Sequence, residues 1–275
     1  METELVSVCI PAYNNEEYIE NTINSILNQT YKNIELVVVD DNSTDRTWEI
    51  INSIRDDRLK VYHNEQNLGM SGNWNRCLEL TTGDFVKLIC ADDIMDQNAL
   101  ELEANAMREN PSAVLVESDT RLLNLKGEVH GQFKRYKQAG LVNGKKVAKT
   151  ALIWNNFFGA PVNNLMRRSA MEQVGGFDTD FTYILDFDMW VSIALLGDVF
   201  IIHQPLNSFC IRNDSNTGVL IGKKRDVYVK EHIQLLKKHT GPGKVELSGL
   251  QFSFSVWFRK FRNSVIGVYL KMFAK

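Results

Sequence analysis

This 275-residue sequence has little that would build a covalent or metal-held scaffold. It has four cysteines, Cys9, Cys77, Cys90 and Cys210, and no two of them form a C-x-x-C pair. A disulfide framework and a structural zinc site are therefore not expected, and a reducing cytoplasm is the default compartment. Cys9 and Cys90 lie inside apolar runs and read as small buried hydrophobes. No uncharged apolar run reaches the ~18 residues that a membrane-spanning helix needs. The N-terminus leads almost directly into a strand-like segment, so no secretory signal is expected. A strong charge excess is also missing. The net charge of −3 gives no nucleic-acid signature. Neither a G-x-G-x-x-G nor a G-x-x-x-x-G-K-S/T loop occurs, which disfavours dinucleotide and P-loop sites.

The 44% apolar and 24% charged fractions are those of an ordinary folded chain, so wholesale disorder is not expected. The length fits one large domain, or a main domain with an appendage, and allows a substantial core. The charge is unevenly spread. Residues 223–275 hold twelve Lys/Arg against three Asp/Glu, and residues 1–222 hold nineteen against thirty-one. A basic tail on an acidic body points to an acidic surface as the tail's partner.

In the N-terminal half, continuous apolar runs alternate with helical spacing. Strands are expected at 5–10, 34–39, 59–63 and 85–90, with Pro11 ending the first. Helices are expected at 16–29, 47–54 and 74–80, the first with Tyr18, Ile19, Ile23, Ile26 and Leu27 on one face. Strand–helix alternation of this kind builds a parallel sheet. Right-handed crossovers bring the loops after the first, second and fourth strands to one sheet edge. Those loops carry Tyr13 and Asn14, Asp40 and Asp41, and Asp92 and Asp93. Ligands bind at that edge in open α/β sheets. Paired carboxylates there can accept from a base N–H or a ribose hydroxyl, and can share a divalent cation with substrate phosphates. The same residues are also common in turns and helix caps, and Ser43 or Asp45 could cap the helix that follows.

At this point the sequence resembles the family 2 glycosyltransferases, which have the GT-A fold. Four stretches carry the resemblance: VSVCIPAYNNEEYIENTINSILNQTYKNIELVVVDDNSTDRT, NLGMSGNWNRCLELTTGDFVKLICADD, MRRSAMEQVGGFD and ILDFDMW, spanning roughly residues 5–215. The resemblance implies an α/β, Rossmann-like, mostly parallel mixed sheet flanked by helices. It implies a nucleotide-diphosphate sugar as donor, expected to be a UDP-sugar, and a divalent metal, Mn²⁺ or Mg²⁺. Pro11, Ala12, Tyr13 and Asn14 would border the nucleobase, and Asp41, with Asp40 beside it, would accept from the base. Asn67 and Gly69 would line the nucleotide, Asp92 would reach the ribose, and Asp93 would bind metal. Asp186 would be the general base of an inverting transfer, with Asp188 as the alternative. Three departures stand out. Cys90 replaces the first acid of the family's Asp-x-Asp-Asp, and Leu185 replaces the Glu of its Glu-Asp pair. Asn213 and Asp214 stand where the family often has a metal-binding His, so that Asp214 could serve as an oxygen ligand.

In the second half, a strand is expected at 113–117 and loops or a hairpin around Gly127. A helix should follow at 146–154, then a strand at 162–167 running into a helix at 169–174 that ends at Gly175–Gly176. The resemblance puts Gly175, Gly176, Asp188 and Trp190 on the acceptor side. Acids at 186 and 188 are equally what a helix N-terminus favours. Two strands are expected at 199–204 and 208–212. The main domain is then 1–220, with a nucleotide half to about 117 and an acceptor half at 118–220. Residues 221–275 form a basic, amphipathic helical tail, with helices at 223–239 and 249–275 separated by Thr240–Gly241–Pro242–Gly243. Trp257, Phe261, Val265, Val268 and Met272 share helical spacing, and 249–275 has no acidic residue. This suits a helix lying on an anionic membrane surface or one docked on the protein's own core.

The expected partners are a nucleotide sugar and a glycan or lipid-linked acceptor, at the inner face of a membrane, in surface-polysaccharide or cell-wall glycan synthesis. Two rival readings remain. A sugar nucleotidyltransferase should carry a Gly-rich, basic N-terminal loop, whereas residues 11–17 have neither Gly nor Lys. A non-catalytic nucleotide-sugar-binding module has the Cys90 and missing-His departures as its only support.

Overall fold

The computed structural model describes residues 3–123, 128–134, 136–210 and 225–273. The first four long strands are β1 (Val6–Ala12), β2 (Ile34–Asp40), β3 (Leu59–His63) and β4 (Phe85–Leu88). They lie parallel in the order β3-β2-β1-β4, with α1 (Ile19–Leu27), α2 (Thr47–Ser53) and α3 (Gly69–Glu79) as crossovers. The central strands are apolar throughout because both faces of the sheet are covered. On β1, Val6, Val8, Ile10 and Ala12 pack with Ile19, Ile23 and Ile26 of α1. Cys9 turns to the opposite core with Val37, Val39, Trp74 and Cys77. Each such Val or Ile contributes roughly 1.5–3 kcal/mol by leaving water.

The sheet continues through the acceptor half as β9 (Asn164–Arg167), β6 (Ala113–Leu123), β10 (Asp198–Cys210) and β5 (Ile94–Met95). β6 also pairs with β7 (Val129–Phe133), and β10 with β8 (Gly140–Asn143). The ten-stranded sheet is mixed, and most of its paired positions lie in the four parallel ladders. α4 (Ala99–Glu109) covers the α1 side. α5 (Gly144–Ile153), α6 (Arg168–Val174) and α7 (Leu185–Ala194) cover the other.

Several boundaries differ from the sequence expectation. Pro11 does not end β1, whose register runs on to Ala12 opposite Asp40. Proline forfeits one donor there, but Ala12 O still accepts from Asp41 N at 2.8 Å. α3 begins at Gly69, five residues before the expected 74, because Gly69 takes φ +74° and turns the chain into the helix. The strands expected at 199–204 and 208–212 are one strand, β10, with register shifts on both sides of Pro205 that absorb the proline. β5, β8 and α4 were not expected, because short or weakly apolar segments carry little periodic signal.

The tail forms α8 (Arg225–His239) and α9 (Gly249–Phe273). The N-terminal part of α9 is docked on the body. Ser255 Oγ donates to Leu152 O at 2.6 Å, and the fully buried Arg259 donates to Ala151 O and to the Tyr228 hydroxyl. Phe254 and Phe258 meet Trp154 edge-on. On its outer side, Leu250, Trp257 and Phe261 are 85%, 57% and 54% exposed. The docked reading of the tail thus holds for one face of this part of α9, and the other face presents aromatic surface. Among the described residues no helix is long and apolar enough to cross a membrane.

Candidate active site

The C-terminal ends of β1 to β4 share one edge, because these strands are parallel. Two loops at this edge are fastened to each other. Asn14 and Asn42 both take positive φ, +53° and +59°, a region that Asn tolerates better than most residues. Asn14 N donates to Ser43 Oγ and Asn14 Oδ1 accepts from Thr44 N, while Asn15 N donates to Thr47 Oγ1. Tyr13 stays half exposed on the rim, beside the partly covered Pro11 and the buried Ala12.

Asp40 and Asp41 face different duties. Asp40 is fully buried and accepts from Ser43 N and Ser43 Oγ. It also holds His63 Nδ1 at 2.8 Å, and His63 packs against Trp48. Asp41 accepts from Asn64 Nδ2 at 2.8 Å, Leu68 N at 2.8 Å and Gly69 N at 3.0 Å. Asn67 completes this loop by donating to Asp41 O and accepting from Gly69 N. A carboxylate has about four acceptor sites, so Asp41 keeps capacity for one more donor. Beside it opens a cavity of about 600 Å³ lined by His63, Asn64, Glu65, Gln66, Leu68 and Arg76. His63 and the 64–66 segment were not singled out in the sequence, since only pairing with Asp40 and Asp41 reveals them.

The second cluster follows β4. Asp93 is buried and Asp92 partly so, and Asp93 N is fixed to Cys90 O at 3.1 Å. The preceding residue, Ala91, accepts from Thr22 Oγ1 of α1 at 2.9 Å. Burial pushes the Cys90 thiol well up, and the nearby charges of Asp93, Asp92 and Asp186 push it further. Two things follow. Cys90 stays a neutral thiol in place of the family's first acid. The carboxylates after β4 and the acid at the start of α7 also lie within electrostatic reach of the same sulfur, although more than ninety residues separate them in sequence.

Asp186 sits in the first turn of α7. Burial raises its carboxyl to about 7, against the opposing hydrogen bond from Phe187 N at 2.7 Å. A carboxyl tuned to that range can take a proton near neutral pH.

The other acceptor-side residues behave differently. Trp190 is fully buried and meets Phe177 edge-on, so it supports the acceptor half from inside the core. Asp188 is buried and held by Lys238 Nζ and His239 Nε2, each at 2.7 Å. Gly175 and Gly176 form a left-handed turn, φ +88° and +96°, that closes α6. Asn75 grips this turn at Phe177 N and Phe177 O, and a Cβ on Gly176 would lie 2.7 Å from Asn75 Oδ1. Asp214 lies outside the described residues.

Beneath the site, Lys87 and Glu103 form a fully buried ion pair at 2.8 and 3.0 Å. Burial pushes the Lys87 ammonium down and the Glu103 carboxyl up, and the contact between them opposes both shifts. Ser118 donates to Glu103, and Asn207 of β10 donates to Ser118. The lone lysine in the apolar run FVKLIC was the available signal for this pair.

Among the described residues no three His, Cys, Asp or Glu side chains converge as a full metal cage. Mg²⁺ and similar ions are usually held by one or two carboxylates plus substrate phosphates. Asp92 and Asp93 fit that donor chemistry.

Comparison with known proteins agrees with this geometry. Residues 7–175 match the model for glycosyl transferase family 2. The Escherichia coli UDP-Glc:alpha-D-GlcNAc-diphosphoundecaprenol beta-1,3-glucosyltransferase WfgD is 30% identical over 70% of this chain and 71% of its own length. Residues 1–349 of S. aureus TarS, solved with UDP-GlcNAc, superpose with a TM-score of 0.69 at 20% identity, covering 94% of this chain and 72% of that one. The Pyrobaculum calidifontis mannosyltransferase PcManGT, solved with GDP-Man and Mn2+, gives 0.66 at 18% identity, covering 97% and 73%. With a family match over more than half its length and a sheet of the same architecture, the chain belongs to glycosyl transferase family 2 and has the GT-A fold.

Proposed function

We propose that this glycosyltransferase moves a hexosyl unit from a UDP-sugar to a hydroxyl of a lipid-linked glycan, with inversion at the anomeric carbon. The observation that carries this reading is that the Cys90 thiol feels the charges of Asp92, Asp93 and Asp186 together, which puts the start of α7 and the end of β4 on one side of the sheet. Tyr13 and the free capacity of Asp41 would take the base, beside the cavity lined by His63 and Arg76, with Asn67 and Gly69 shaping that wall. Asp92 would reach the ribose. Asp93 and Asp92 would hold a Mg²⁺ or Mn²⁺ ion, which when bound offsets the charge growing on the departing diphosphate. Asp186 removes the proton from the acceptor hydroxyl. The freed oxygen pair forms the bond to the anomeric carbon. The bond to the diphosphate breaks, and its electron pair leaves with the nucleoside diphosphate. Asp186 then returns its proton to water.

The lipid-linked acceptor is favoured by WfgD, a glucosyltransferase acting on alpha-D-GlcNAc-diphosphoundecaprenol. It is also favoured by the outer face of α9, where Trp257 and Phe261 stack at 5.5 Å in an acid-free stretch. An anionic bilayer at the inner membrane face is the surface that suits an aromatic, basic helix.

A panel of nucleotide sugars with Mn²⁺ and a polyprenyl-linked acceptor tests the reaction. The expected result is release of nucleoside diphosphate from one donor, lost on adding chelator. Asp186→Asn should lower the rate by ~10²–10⁴-fold while nucleotide binding persists. Nucleotide binding with no turnover from any donor, even with membrane lipid extract supplied, would mark a binding module instead.

A further inference from the structure

The family match stops at residue 175, and α7 and the tail helices that hold its entry turn come later in the chain. The first N–H groups of a helix have no acceptor within it and must find one elsewhere. No side chain of the entry turn caps α7. Just before the helix, the entry turn itself is held from outside: Thr182 N, Tyr183 N and Ile184 N, the last at the N-cap, donate to the carboxylate of Glu231 at 3.0, 2.9 and 3.2 Å. Glu231 lies on α8, is buried, and brings a negative charge to a helix N-terminus, where the helix dipole favours it.

α8 grips the same segment twice more. Lys238 Nζ bridges Asp178 at 2.6 Å and Asp188 at 2.7 Å, and His239 takes the other oxygen of Asp188. Between these grips, His232 stacks on Phe187, and the Arg259 guanidinium of α9 lies 5.5 Å from the same ring. Segment 178–188 is therefore held before and after Asp186 by the tail, while the Asp186 carboxylate accepts from Phe187 N of its own turn and lies within electrostatic reach of Cys90.

We infer that Glu231 is a positioning residue for sugar transfer, acting through the 182–184 backbone to hold Asp186 where it meets the acceptor hydroxyl. The inference rests on Asp186 being the general base. Three charge-assisted hydrogen bonds fix the turn that sets the start of α7. A displacement of about 1 Å at a reacting group can cost on the order of 10²-fold in rate. Were Glu231 only a staple for the tail, its loss would lower stability and leave the chemical step of the folded enzyme alone.

The test uses the full chain, with Glu231→Ala, the near-isosteric Glu231→Gln and Asp186→Asn assayed together for transfer, UDP affinity, melting temperature and the pH dependence of kcat. Glu231→Ala should lower kcat by on the order of 10²-fold with UDP affinity unchanged. Glu231→Gln, which keeps acceptor capacity but loses the charge, should fall between it and wild type. The acid limb of the kcat profile should move to lower pH in both, because a loosened turn lets water reach Asp186. Should Glu231→Ala fail to fold, Glu231→Gln alone decides. A folded Glu231 variant with wild-type kcat and pH profile overturns the inference, as does a loss shared equally by kcat and UDP affinity. If Asp186→Asn transfers at the wild-type rate, the base assignment falls and this inference falls with it. An inactive Asp186→Asn beside a fully active Glu231→Ala would remove the inference alone.

Discussion

The two halves of the sheet edge are built in opposite ways. On the donor side, Asp41 finds its partners within about thirty positions, at Asn64, Leu68 and Gly69, and each loop locks onto the next. On the acceptor side, Asp186 stands on a helix whose entry turn is fastened and clamped from roughly fifty residues downstream, on helices outside the matched family region. A nucleotide is common to many donors, and its site is written in compact motifs. The acceptor side is seated by packing and capping, which use ordinary residues such as Glu231 and His239.

The largest effect should come from cutting the strut between the halves. Lys87 of β4, Glu103 of α4, Ser118 of β6 and Asn207 of β10 form one buried chain. Lys87→Met leaves Glu103 buried without its cation and should cost about 3–5 kcal/mol in denaturant unfolding. The double variant Lys87→Met/Glu103→Leu should recover most of that loss. Equal damage from the single and double variants would show that the loss does not come from a stranded buried charge.

A middle-sized effect should separate the halves. Asp41→Asn gives up a charged acceptor worth about 1.5–3 kcal/mol, so calorimetry should show UDP bound ~10–100-fold more weakly. Unchanged UDP affinity would remove Asp41 from the donor site and leave it as a fastener of the 64–69 loop.

The smallest effect lies on the tail. Trp257→Ala/Phe261→Ala should reduce co-sedimentation with vesicles containing anionic lipid and leave turnover of a water-soluble acceptor intact. Equal vesicle binding by the double variant would assign the outer face of α9 some other partner.

The same contrast explains what could be read in advance. Strands β1 to β4, their edge and the clusters at 13–14, 40–41 and 92–93 follow from continuous apolar runs broken by polar loops, a short-range signal. The helix carrying Asp186 was also legible, from its apolar run after two acids. Asp188 could not be told from Asp186 on that basis, because both suit a helix N-terminus. What parts them is Lys238 and His239, which hold both oxygens of Asp188, whereas neither bonds Asp186. Trp190 read as an acceptor-side residue, but its place in the core depends on Phe177 across the α6–α7 contact. His63 drew no notice until Asp40 and Trp48 were seen to orient it. Long-range pairings of this kind leave no periodicity behind.

The central claim is that Asp186 is the general base, raised by burial to about 7 and acting on the same thiol, Cys90, as the charges of Asp92 and Asp93. Its active form is the carboxylate, which dominates above that value. The direct measurement is kcat for transfer between pH 5 and 9, for wild type and Asp186→Asn. The account predicts a wild-type rate that climbs tenfold per pH unit on the acid side and levels off near pH 7, with a low, flat residual rate in the variant. An acid limb near pH 4 in the wild type, or the same limb persisting in Asp186→Asn, would contradict it.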